Sequence, residues 1–206
     1  MAPPKAQRAM LALVALGVPL SGWGALYPQN TALQIGPVAL ALPVAVWGLR
    51  RWPLSDAAVC GACGFVLLHL VAARWSYSYT PYERWARPLG IDIDAAFGFH
   101  RNMFDRLVHF AFGWLMCPLV AEIACVYGRM RRGWALVFAV LAVFAVSSLY
   151  EIFEWLLTMG LSPADAGAYN GEQGDIYDSQ KDMACANGAA LLVLPWAARR
   201  LRMRQV

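Results

Sequence analysis

Three segments carry ionisable side chains at the spacing of one helix face. Asn102, Asp105 and His109 stand at i, i+3, i+7, which puts an amide, a carboxylate and an imidazole on one stripe. Gly113 continues that stripe and would let a second helix come close. Ser147, Glu151 and Glu154 follow at i, i+4, i+7. Asp175, Asp178 and Asp182 repeat i, i+3, i+7, with Ala186 and Ala189 beyond them. Carboxylates and an imidazole gathered in this way suit two tasks, holding a divalent cation and moving protons. A hard ion such as Mg²⁺ or Mn²⁺ fits oxygen ligands, and the imidazole admits Zn²⁺, so the sequence leaves the ion's identity open. The expected ligands are Asp105, His109, Glu151, Glu154, Asp178 and Asp182, with Glu151, Glu154 and His109 as candidates for catalysis.

The segments that carry these residues are otherwise apolar. The 206-residue chain is 60% hydrophobic and only 15% charged, with mean hydropathy +0.47. A soluble domain of this size could not cover such a sequence with polar surface, so lipid must be part of its solvent. A run of about 20 apolar residues crosses a hydrocarbon core of roughly 30 Å. Runs of this kind lie near residues 9–26, 32–49, 57–73, 105–126, 134–158 and 182–197. The expected fold is therefore all-α: one polytopic transmembrane bundle over residues 1–206 with about six crossings. The first run is read as a retained helix, because it continues to Tyr27 without a small-x-small cleavage site.

The charges give the bundle a direction. Lys5 and Arg8, Arg50 and Arg51, Arg129, Arg131 and Arg132, and Arg199, Arg200, Arg202 and Arg204 fall on alternate connections, as six crossings with both termini cytoplasmic require. Of the 13 acidic residues only Asp56 and Glu122 belong to that inner side. The net charge of +4 therefore reads as a topology signal rather than as a nucleic-acid surface, since no basic, aromatic-interleaved groove is present. The five cysteines all lie in apolar runs, so Cys60-Gly-Ala-Cys63 is expected to be a close-packing helix surface rather than a redox or metal motif.

Buried carboxylates cost roughly 2.5–3.5 kcal/mol each at a helix centre, so the three acidic stripes should face inward and share one polar centre. Arg74, Arg101, Arg106 and Lys181 are near enough in sequence to neutralise part of it, but the acids outnumber the bases. His69 is expected to be a hydrogen-bonded buried residue before it is a ligand. Two outer connections are long enough to hold structure. Thr80-Pro81-Tyr82-Glu83 has the spacing of a capping box with proline at the first helical position, predicting a short interfacial helix over Pro81–Arg87. Gly160–Lys181 should cover the outer mouth of the bundle.

Across His69–Ala190 the chain resembles the YjdF family of bacterial inner-membrane proteins. The likeness rests on His100-Arg101-Asn102 with Asp105-Arg106 and His109-Phe110, on Tyr150-Glu151 with Glu154-Trp155, and on Gln173-Gly174-Asp175 with Asp178, Gln180 and Asp182-Met183. It departs at Arg74, where the resemblance implies histidine, and at Tyr177, where it implies tryptophan. More remotely, Asp-basic-x-x-His, Glu-x-x-Glu and Asp before an Ala- and Gly-rich last helix is similar to the VanZ-like proteins. Asn187, five residues after Asp182 rather than four, is not carried over. The resemblance implies a multi-pass inner-membrane protein, and neither family brings an established reaction.

From the site itself, two functions are expected to compete. One is an envelope-side hydrolase or transferase acting on a lipid-linked or cell-wall-related substrate with a carboxylate-held cation. The other is a non-enzymatic carrier or small-molecule and cation binder whose acids relay charge. A third reading, a structural network that only orients helices, makes no demand for a ligand.

Overall fold

The computed structural model describes residues 3–203, leaving Arg204 of the last basic cluster outside the described residues. All regular elements among them are helical. Four helices are long and apolar enough to cross a bilayer: α2 (Pro28–Arg51), α3 (Asp56–Arg74), α6 (Phe104–Val126) and α7 (Arg132–Thr158). Before them comes α1 (Lys5–Gly22), and the chain closes with α9 (Asp178–Leu192) and α10 (Leu194–Met203). The outer connections hold three short helices, α4 (Tyr82–Ala86), α5 (Ile93–Phe97) and α8 (Pro163–Asn170), with a 3₁₀ turn over Arg87–Leu89.

The expected 182–197 run is divided at Val193. Pro195 has no N–H to continue the α9 ladder, so the axis restarts as α10. The capping box is a second departure. Pro81 rather than Thr80 occupies the N-cap of α4, and no side chain caps it. Glu83 turns away to accept the Asp94 N–H at 2.7 Å, while the Thr80 carbonyl accepts from Asn102 Nδ2 at 2.8 Å. The helix still forms, one residue later than the spacing suggested. Asn102 itself precedes α6, and Asp175 precedes α9, so neither extends its helical stripe as expected.

Helix α6 is the hub, packed against α3, α7 and α9. Its contact with α9 is made by small residues: Cys117, Ala121, Ala186 and Ala190 are fully buried, and an added Cβ at Gly113 would overlap the Ala186 carbonyl. Helix α7 buries Ala135, Ala139, Val143, Ser147 and Glu151, one residue per turn along a single stripe. Each of these helices therefore presents small apolar side chains along most of its buried face and changes to polar ones near one end. Around them Leu16, Leu40, Val44, Leu141 and Leu149 are exposed, a pattern that only lipid accommodates.

At the opposite end Glu122 of α6 accepts the Ser55 N–H at 2.6 Å and the Ser55 hydroxyl at 2.5 Å, beside the start of α3. Asp56 accepts from Gln7 Nε2 of α1 at 2.8 Å, and Tyr127 donates to the Pro53 carbonyl at 2.6 Å. Glu122→Ala strands two donors, so a loss of about 1–3 kcal/mol is expected. Thermal unfolding of the purified protein in detergent reads it, with Glu122→Gln falling between alanine and the parent.

Candidate functional site

The polar ends of α6, α7 and α9 meet in two layers. In the upper layer Arg101 and Arg106 lie among four aspartates. Arg106 is buried and donates through Nη1 to the Asp178 carbonyl at 2.9 Å and through Nη2 to Asp178 Oδ1 at 2.5 Å, with Asp175 Oδ2 at 3.3 Å. Its Nη1 also stands 2.5 Å from Asp182 Oδ1, a close charge contact. Arg101 pairs with Asp105 and Asp178 and donates to the Glu172 carbonyl at 2.9 Å. Lys181 closes the rim on Asp175 at 2.6 Å and 2.8 Å, and this bonded ammonium holds the Asp175 carboxyl below its ordinary range.

Beneath the guanidinium layer lie His109, Glu151 and Asp182. His109 Nε2 is 3.8 Å from Glu151 Oε1 and 3.9 Å from Asp182 Oδ1. One ligand atom from each of the three fits within a 4.8 Å span, as it does for Asp105, Asp178 and Asp182. Glu151 Oε1 is buried and has no hydrogen-bond partner. Five of the six expected ligands are thus brought together, with Asp182 shared between two groups. Arg106 meets the group of His109, Glu151 and Asp182 only at Asp182, whereas the other group is paired with arginine at all three carboxylates.

Glu154 departs from the set. It lies outside both three-residue groups, in an electrostatic neighbourhood shared with Tyr150, Tyr77 and Tyr169. Tyr77 in turn bonds His69 Nδ1, whose Nε2 meets the Gln34 carbonyl at 3.1 Å. His69 is therefore satisfied on both nitrogens. Tyr77 is buried because the chain turns back after α3 through Ser76 and Tyr77, with φ of 45° and 57°. Arg74 does not reach the centre, since its guanidinium caps the end of α1 through the carbonyls of Leu20, at 2.6 Å, and Trp23.

The outer connections close over both layers. Asn102 and Gln173 exchange bonds, the Asn102 N–H donating to Gln173 Oε1 at 2.9 Å and Gln173 Nε2 to the Asn102 carbonyl at 3.1 Å. The 160–181 segment holds the helix α8, followed by turns that lead into α9. Ser162 caps α8 by accepting the Asp165 N–H at 3.2 Å, and Pro163 takes the first turn. Tyr169 of α8 is buried toward Tyr150. The tyrosine trio escaped the sequence reading because its members come from three elements; the i, i+4 spacing of Tyr150 and Glu154 was the available signal.

The family model described as "Predicted membrane protein (DUF2238)" matches residues 6–203. The inner membrane protein YjdF of Escherichia coli (strain K12) is 30% identical over 169 residues, covering 81% of this chain and 77% of that protein. No solved structure matches.

Proposed function

The chain belongs to the DUF2238 family of predicted membrane proteins, and we propose that it is a six-span inner-membrane enzyme with a cation-assisted hydrolase or transferase centre on its envelope side. Helices α2, α3, α6 and α7 supply four crossings; α1 and the α9–α10 pair supply the other two. The alternation of basic and acidic connections supports cytoplasmic termini and a carboxylate centre outside. The inner-membrane location follows the relative's name, whereas the likeness to VanZ-like proteins carries no part of the proposal.

One observation carries the chemical reading: Glu151 Oε1 is buried without a hydrogen-bond partner, and it and Asp182 Oδ1 both stand within 4 Å of the same imidazole nitrogen. Ligands around a small divalent ion lie about 3.0–3.5 Å apart, given bonds of roughly 2.1 Å, and the two His109 contacts, at 3.8 and 3.9 Å, exceed that by less than about 1 Å. Four aspartates (Asp105, Asp175, Asp178, Asp182) meet Arg101, Arg106 and Lys181, with Glu151 beside them, and that surplus also favours a cation. A bound ion would polarise an ester or phosphate oxygen of a lipid-linked or envelope substrate. Glu154, one helical turn from Glu151, is the residue assigned to accept a proton from the attacking group. Asp56 and Glu122 tie helices together at the inner end instead of continuing a polar path, which weighs against a carrier.

Metal analysis of the purified protein tests this directly. About one divalent ion per chain is expected, with His109→Ala, Glu151→Gln and Asp182→Asn each lowering affinity by more than the ~10–100-fold typical of a lost outer-shell partner. Glu154→Gln should keep the ion and lose activity. Protein that stays metal-free after loading with Mg²⁺, Mn²⁺ and Zn²⁺ would leave only the structural network.

A further inference from the structure

A second polar cavity, of about 710 Å³, opens at the outer connection between α3 and α6. Its walls include Thr80, Tyr82, Glu83, Arg84, Arg87 and Asp94. Arg84 and Arg87 sit one turn apart, are exposed, and form no ion pair among the described residues. Glu83 places Oε1 on the Asp94 N–H, while its Oε2 is buried without a partner. The Thr80 hydroxyl, in a side chain only 1% exposed, is also unpartnered. Burial and donation to Asp94 push the Tyr82 hydroxyl up to about 12, so Tyr82 remains a neutral group on the wall. The cavity wall thus carries two arginines without an ion pair among the described residues and two carboxylates.

That arrangement calls for a ligand carrying a phosphate and, beyond it, a hydrogen-bonding cation. The rest of the segment indicates where such a ligand comes from. Trp85, Leu89, Ile91 and Phe97 are exposed on the same stretch, and Trp85 packs edge-on against Trp75 at the end of α3 with ring centroids 5.3 Å apart. An apolar, aromatic and basic stretch beside a membrane helix end lies at the depth of the lipid head groups.

We propose that this cavity binds the head group of an ethanolamine phospholipid, with the phosphate on Arg84 and Arg87 and the primary ammonium on Glu83. This holds whether or not the cation centre is catalytic, since the two share only the Asn102 side of the wall. Phosphatidylcholine is the discriminating probe, because its phosphate is the same but its quaternary ammonium has no N–H to donate to Glu83.

Native mass spectrometry of the full chain in detergent, titrated with phosphatidylethanolamine, phosphatidylglycerol and phosphatidylcholine, tests the assignment. Phosphatidylethanolamine is expected to bind at least about tenfold more tightly than either of the others, the effect of one charge-assisted hydrogen bond. The double variant Arg84→Ala/Arg87→Ala should weaken all three, and Glu83→Gln should erase the preference while the melting temperature stays that of the parent. Equal binding of the choline and ethanolamine lipids, or binding unchanged in the double arginine variant, would overturn the proposal. Free phosphoethanolamine binding as tightly as the lipid would overturn the lipid source.

Discussion

Arg106→Ala is expected to destabilise the protein more than any other single change at the polar centre, by about 3–5 kcal/mol, the usual cost of removing one partner from a buried ion pair. The guanidinium is buried and meets Asp175, Asp178 and Asp182 together. Alanine leaves Asp178 with only Arg101, and Asp182 with the imidazole of His109 at 3.9 Å. It also removes the second donor from the Asp178 carbonyl at the first turn of α9, which Arg106 Nη1 now bonds at 2.9 Å. Most of the loss is desolvated negative charge rather than lost packing, and that origin predicts its remedy. Asp178→Asn in the Arg106→Ala background should recover part of the melting temperature, although Asp178→Asn alone costs stability. Arg106→Lys should recover little, because one ammonium cannot span three carboxylates that a planar fork reaches from two nitrogens. Melting in detergent, for the two single variants and the double, measures this. Additive losses in the double variant would show that Arg106 does not act by charge.

How far this centre was legible depends on which residues obey helix periodicity. Asp105 with His109, Glu151 with Ser147, and Asp178 with Asp182 are each separated by whole turns, and each pair shares a buried face. The same logic failed for Asn102 and Asp175, since periodicity does not reveal where a helix starts. Met103 and Tyr177 are the N-caps, and neither supplies a side-chain cap that would have marked the boundary. Arg106 was legible only as a neighbour of Asp105; its central place depends on the rotation of α6, which is set by the Gly113 contact with α9. Glu154 lies one turn beyond Glu151 but faces Tyr150, because α8 brings Tyr169 over that side of α7. The Thr80–Glu83 signal was real in spacing and was overridden by tertiary partners, Asn102 for Thr80 and Asp94 for Glu83. Local rules located the faces, and long-range contacts assigned the individual partners.

The closeness of α6 and α9 makes Gly113→Ala the second large effect. A Cβ at Gly113 would fall on the Ala186 carbonyl and also crowd its Cα at 3.1 Å, and both obstacles are backbone, which has no rotamer with which to yield. The helices must separate or rotate, so the expected loss is about 1–3 kcal/mol or somewhat more. The consequence reaches past stability. Gly113 lies one turn below His109, and Ala186 one turn below Asp182, so separating the two at the contact widens the gap between imidazole and carboxylate above it. Cation affinity should therefore fall in Gly113→Ala even though no ligand is altered. Gly64→Ala and Gly188→Ala serve as controls, because a Cβ at either position meets nothing within 4 Å. Both should match or slightly exceed the parent in melting temperature, since alanine is the better helix former. Melting and metal titration on the three variants separate the effects: a Gly113→Ala protein that melts and binds like its controls would mean that α6 and α9 are not held at this distance, and that the centre is set by its charges alone.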